Sequence, residues 1–161
     1  MNILGIDPGS THLGVGCIKK NGNLLELVFA STVNAPQKKP LYDRLQILSE
    51  KLRLVLDRCQ PEVVAIEDLF HGQNARSAFH LGLARGVVVA ACLDRRLKIF
   101  EYAPTQVKSV VTGYGRADKE QVRKMISLLL GQQVNEGLDA SDALAVAICH
   151  ASQSAILTGL A

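Results

Sequence analysis

A chain of 161 residues, 48% hydrophobic and 20% charged, can bury one sizeable core and is too apolar for wholesale disorder. Its net charge of +3 is a mild basic excess, compatible with a nucleic-acid partner and not diagnostic of one. Cys17, Cys59, Cys92 and Cys149 are scattered among apolar neighbours, with no Cys-x-x-Cys pair and no zinc-spaced histidine, which predicts buried thiols in a reducing cytoplasm. The longest unbroken apolar run, Val87 to Leu93, is too short for a bilayer, and the N-terminus reads as a strand rather than a signal peptide.

Asn2 to Ile6 is an apolar strand that stops at the turn Asp7-Pro8-Gly9. Leu13 to Lys20 and Leu24 to Val33 follow as strands, joined by a hairpin at Asn21-Gly22-Asn23. Three antiparallel strands therefore open the fold. After a polar connection carrying Lys38 and Lys39, leucines at helical spacing predict a helix from Leu41 to Cys59, closed by Pro61. Val63 to Ile66 is wholly apolar, as in a strand covered on both faces, and runs into Glu67-Asp68. A loop over Phe70 to Arg76 leads to a long helix, Ala75 to Arg95, and then a strand, Leu97 to Tyr102. A short helix from Pro104 to Gly113 and a flexible, basic Gly113-Tyr114-Gly115-Arg116 connection precede helices Lys119 to Leu130 and Asp139 to Ser152. The order predicts one α/β domain over residues 1–161, with a central five-stranded mixed sheet flanked by helices.

Four carboxylates close otherwise apolar stretches. Asp7 and Glu67 stand at strand ends, where α/β sheets gather ligands. Asp139 and Asp142 are three residues apart, on one helix face and about 4.5 Å apart along its axis. Singly, each suits a turn or the first turn of a helix. Together they are costly, because like charges 4 Å apart repel by about 4 kcal/mol at an effective dielectric near 20. Hard cations such as Mg²⁺ or Mn²⁺ offset that cost, and two of them suit phosphodiester hydrolysis. His150 lies about 16 Å along the helix from Asp139, too far to share such a site.

These residues also carry a resemblance. Gly5-Ile6-Asp7-Pro8-Gly9-Ser10, Ala65-Ile66-Glu67 and Asp139-Ala140-Ser141-Asp142-Ala143-Leu144-Ala145 resemble the motifs of the RuvC family of bacterial Holliday-junction resolvases. So do Asn74-Ala75-Arg76-Ser77-Ala78, Leu81-Gly82-Leu83-Ala84-Arg85-Gly86 and the segment Val107-Lys108 to Thr112-Gly113, in order along nearly the whole chain. The resemblance implies an RNase H-like fold and a homodimer. It implies Mg²⁺-dependent nicking of two opposed strands at a four-way junction, alongside the RuvA–RuvB branch-migration complex. It places the family's acidic metal ligands on Asp7, Glu67, Asp139 and Asp142, and the segment around Phe70-His71-Gly72-Gln73 follows the family only loosely.

Phosphate contacts are expected from Lys38, Lys39, Arg76, Lys108, Arg116, Lys119, Arg123 and Lys124, foremost Lys108 and Lys119, which flank the Gly113–Gly115 segment. Phe70, three residues beyond Glu67, is a candidate to stack on or wedge beside an unpaired base, against the alternative that it caps the core. The Gly82 to Ala91 stretch is apolar on too many sides to be half solvated. It faces either a second copy in a dimer or other helices of its own chain. Three rival functions remain. A phosphotransferase of the actin and sugar-kinase type needs two such domains. An RNase H-like nuclease acting on RNA or RNA–DNA hybrid fits the Asp139/Asp142 pair and the Lys108 segment less well. A silent junction-binding module would need a broken carboxylate set.

Overall fold

The computed structural model describes residues 1–68 and 74–157. In chain order the elements are β1 (Asn2–Asp7), β2 (His12–Asn21), β3 (Leu24–Asn34), α1 (Leu41–Cys59), β4 (Val63–Glu67), α2 (Ala75–Leu93), β5 (Lys98–Tyr102), α3 (Pro104–Thr112), α4 (Lys119–Leu129) and α5 (Leu138–Leu157). They form one sheet in the order β3-β2-β1-β4-β5. The first three strands are antiparallel, and β4 and β5 continue parallel to β1. Gly22, at φ 60°, turns the β2–β3 hairpin in the left-handed region that a side chain disfavours.

Strand periodicity sorts the core into two layers. Leu4, Ile6, Val64 and Ile66 face α1 and α2, in one apolar cluster with Leu52, Leu56, Val88 and Cys92. Ile3, Val63 and Ala65 face the opposite side, with Val107, Val122, Ile126, Leu144 and Ile148 of α3, α4 and α5. Helix α5 is buried along Ala143–Ala151 and lies directly on β1 and β2. Glycines make that approach possible. A methyl group on Gly5 would run into the Ala143 carbonyl, one on Gly14 into the Asp139 carbonyl, and one on Gly16 into Leu144.

All four cysteines are free and buried, as expected. Helix α2 corrects the argument from the short apolar run. Taken as a helix, Ala75–Leu93 is 19 residues long and is long and apolar enough to cross a membrane by length and composition. Only Ala84, Val88, Ala91 and Cys92 of it are buried, while Phe79, Gly82, Gly86, Ala90 and Leu93 are exposed. Burial of this helix on all sides within its own chain is therefore excluded.

Candidate active site

The same alternation that builds the core aims the carboxylates. Asp7 continues the Ile3, Gly5 series and Glu67 the Val63, Ala65 series, so both leave the sheet on the α5 face. Ile6 pairs with Ile66, and one further step of this register sets Asp7 beside Glu67. Gly14 then lets the first turn of α5 rest on β2, which brings Asp139 and Asp142 over the two strand ends.

The electrostatics show that these groups share one site. Burial pushes the Asp7 carboxyl up to about 7, helped by repulsion from Glu67, Asp142 and Asp139 and opposed by Lys119. Glu67 is also held above its ordinary range, by burial first and then by Asp142, while Lys119 and Lys108 pull it back. The compensating charge is Lys119, whose ammonium donates to Asp142 Oδ2 at 3.0 Å. That carboxylate in turn raises the Lys119 pKa. Lys119 is the first residue of α4, whose N-terminal dipole disfavours a cation there. A reciprocal cap holds the turn: Gln121 N–H donates to Asp118 Oδ1 at 2.8 Å, and Gln121 Oε1 accepts from Asp118 N–H at 3.0 Å.

Glu67, Asp142, Lys108 and Lys119 line a cleft of about 220 Å³ floored by Val107, Val122 and Ala145. Two cations across from a carboxylate cluster suit a group that carries negative charge and is turned over beside a hard cation, as a phosphodiester is. Among the described residues no three His, Cys, Asp or Glu side chains converge as a finished metal cage. The donor set nonetheless fits one. It is all carboxylate oxygen, the neighbouring carboxylates help raise the pKa values of Asp7 and Glu67, and Lys119 already occupies the counter-charge position on Asp142. His150 takes no part: it is buried, with its Nδ1 2.7 Å from the Tyr102 hydroxyl and its ring packed on Phe100.

Of the expected DNA contacts, Lys108 and Lys119 sit in the cleft, Arg116 lies on the adjoining connection, and Arg76 is exposed in the first turn of α2. Lys38 and Lys39 are exposed on the β3–α1 connection. Arg123 instead donates Nε and Nη2 to the Val134 carbonyl at 3.3 and 3.2 Å, and Lys124 pairs with Glu120 at 3.0 Å. Both therefore have partners within the protein. Phe70 lies outside the described residues.

Two supporting residues were not legible as such in the sequence. Arg85 of α2 donates Nη1 to the Glu67 carbonyl at 2.8 Å and pairs through Nη2 with Glu101 of β5 at 2.7 Å, tying α2 to the strand end that carries Glu67. Thr112 pins the segment after α3: its Oγ1 lies 2.8 Å from the Lys108 carbonyl and 3.0 Å from that of Tyr114, and accepts the Tyr114 N–H at 3.1 Å. The Gly113–Arg116 connection thus folds into a hydrogen-bonded turn. A motif places such residues, but only the fold supplies their partners.

The crossover junction endodeoxyribonuclease RuvC family matches residues 3–150. Crossover junction endodeoxyribonuclease RuvC of Chloroflexus aggregans is 43% identical, over 94% of this chain and 93% of the relative. That of Desulfitobacterium hafniense is 45% identical, over 94% and 92%. The solved structure of T. thermophilus RuvC in complex with Holliday junction substrate is similar at a TM-score of 0.91 and 33% identity, over 98% of this chain and 97% of that one. The fold is RNase H-like, as the family resemblance implied, and its sheet is the five-stranded mixed sheet that the element order predicted. The match runs from the first strand to the last helix and takes in every carboxylate of the cleft, so the chain belongs to the RuvC family of crossover junction endodeoxyribonucleases.

Proposed function

We propose that the chain resolves four-way DNA junctions in recombination and repair by paired nicks in two opposed strands. The observation that carries this reading is the electrostatic grouping of Asp7 with Glu67, Asp139 and Asp142, beside a cleft that Glu67, Asp142, Lys108 and Lys119 line, in a chain of this family.

Asp7, Glu67, Asp139 and Asp142 would hold Mg²⁺, two ions per site, with Mn²⁺ as a substitute. When bound, the metal supplies an activated water and charge stabilisation at the leaving oxygen. The chain's own residues do the rest. Lys119 offers three N–H donors, one of them spent on Asp142, and the others serve a non-bridging phosphate oxygen entering the cleft. Lys108, half-buried on α3, supports the same phosphate from the other wall. Val107 and Val122 keep the floor apolar, which lowers the local dielectric and strengthens both contacts. Arg85 and Thr112 hold Glu67 and the Lys108 turn in place.

Paired nicks require two such sites. The exposed face of α2, with Phe79, Gly82, Gly86, Ala90 and Leu93, suits a second copy of the chain around a twofold axis. A bilayer suits it less, because Arg85 in mid-helix is paired with Glu101 of its own sheet. The functional setting is the cytoplasm, in cooperation with the RuvA–RuvB complex.

A synthetic four-way junction, a matched linear duplex and an RNA–DNA hybrid, each incubated with Mg²⁺ and with EDTA, test this reading. Paired cutting of the junction is expected to exceed duplex cutting by at least about tenfold, roughly 1.4 kcal/mol in the transition state. Cutting should stop in EDTA, and Ca²⁺ should support binding with little cleavage. Hybrid degradation with intact junctions would transfer the assignment to another RNase H-like nuclease.

A further inference from the structure

Two exposed or part-exposed elements near the cleft are not used by the reaction as described. They are Tyr114 and the guanidinium of Arg116, both on the connection between α3 and α4. The chain has only three tyrosines and four phenylalanines, so each exposed ring invites a reason. Tyr102 shows the structural use of such a ring: it is 5% exposed, with its hydroxyl against His150. Tyr114 is 59% exposed. Its backbone is hydrogen-bonded on both sides: the Tyr114 N–H donates to Thr112 Oγ1 at 3.1 Å, and the Tyr114 carbonyl accepts the Ala117 N–H at 3.1 Å. Gly113 ends α3 at φ 77°, and Gly115 packs so close to the Thr105 carbonyl that a methyl group there would sit 3.2 Å from it. The result is an aromatic ring presented to solvent on a hydrogen-bonded turn.

Thr105, Tyr114, Gly115 and Arg116 line an open cleft of about 380 Å³. Its wall at Thr105 is the residue next to Pro104, which lines the catalytic cleft, so the two hollows share the first turn of α3. The connection itself runs from the helix of Lys108 to Lys119, the two cations of the site. Among the described residues Arg116 has no carboxylate partner, and its flat fork suits phosphate oxygens. A flat ring, a guanidinium and a hollow of nucleotide size therefore adjoin the place where the phosphodiester is cut.

We propose that Tyr114 and Arg116 form a nucleotide subsite beside the catalytic cleft, in which the Tyr114 ring stacks on a base of the strand being cut while Arg116 holds the phosphate of that nucleotide. The proposal rests on the junction-cutting reading and adds a reason for selectivity. In a linear duplex both faces of every base are covered by neighbours. At a point of strand exchange a base can leave its stack, and a protein ring then replaces the lost neighbour without reading its identity.

The experiment uses the full-length protein in Ca²⁺ and a synthetic four-way junction carrying 2-aminopurine at each nucleotide flanking the exchange point. Wild type should change the fluorescence at one of these positions. Tyr114→Phe should keep that change and bind within about twofold of wild type. Tyr114→Ala should lose it and bind about tenfold more weakly, the fold-change expected from one lost stacking contact. Tyr114→Leu, which keeps apolar bulk without a flat ring, should behave as Tyr114→Ala, separating stacking from packing. Arg116→Ala should lower the slope of log affinity against log salt by about one, and Tyr114→Ala should leave that slope unchanged. Tyr114→Ala binding and fluorescing as wild type, or Tyr114→Leu matching Tyr114→Phe, would overturn the subsite. A wild-type protein that does not prefer the junction over duplex would overturn the parent reading instead.

Discussion

The two faces of the sheet are built from the same alternating strands and do different work. On the face covered by α1 and α2, Leu4, Ile6, Val64 and Ile66 pack in one apolar cluster, and the covering helix α2 turns Phe79, Gly82, Gly86, Ala90 and Leu93 outward. On the face covered by α5, the same strands end in Asp7 and Glu67, and the helix arrives with Asp139 and Asp142. One face suits an interface and the other concentrates charge. Cleavage is therefore expected to be most sensitive to change on the charged face, and self-association to change on the other.

The largest effect is expected at the charged face. Asp7→Asn, Glu67→Gln and Asp142→Asn each keep shape and remove a ligand charge, and junction cleavage should fall at least about a thousandfold, some 4 kcal/mol in the transition state. Junction binding in Ca²⁺ should persist or tighten, because negative charge facing phosphate has gone. Loss of binding by folded variants would show that these carboxylates position DNA and do no chemistry.

Next comes the close approach of α5. Gly14→Ala must push the Asp139 carbonyl off β2, so unfolding free energy should fall by about 1–3 kcal/mol and cleavage should fall with it. On α2, Gly82 and Gly86 have open space around the position of a side chain. Gly86→Ala should therefore leave the fold as stable or up to about 1 kcal/mol more stable, since alanine favours helix. Gly86→Leu should weaken self-association measured by light scattering. Equal damage from Gly14→Ala and Gly86→Ala would erase the contrast between the faces.

A subtler effect concerns pH. The folded-state pKa of Asp7 lies at about 7, above its ordinary value of 3.8, so the folded protein holds a proton that the unfolded chain gives up across that window. Stability should fall as pH rises from about 4 to 7, and the cost of the buried charge is complete above that. Asp7→Asn removes the cost, and chemical denaturation in EDTA at pH 8 should find the variant more stable by on the order of 2–4 kcal/mol. Near pH 4 the two proteins should converge. A less stable Asp7→Asn at pH 8 would mean that the carboxylates are held by bonds stronger than their repulsion.

The smallest effect is expected from an exposed surface charge that does not line the cleft. Lys124→Ala breaks only the exposed pair with Glu120, and stability should change by less than about 0.5 kcal/mol with cleavage unaltered. A clear loss of junction binding would show that Lys124 contacts the DNA.

Much of this arrangement is written locally. The apolar runs that end at Asp7 and Glu67, the leucine spacing of Leu41–Cys59 and the Asp139/Asp142 pair fix element type and order, because period and turn chemistry act over a few residues. The family motifs then name the site. What needed the tertiary structure is every relation between distant segments. The sequence shows glycines at 5, 14 and 16 but not that a helix more than a hundred residues later rests on them. It shows Arg85 in a helix but not its hold on the Glu67 carbonyl, and Tyr114 beside glycines but not the Thr112 hydroxyl that bonds its backbone. Sequence period tells which face a side chain takes, and only packing decides what stands opposite it.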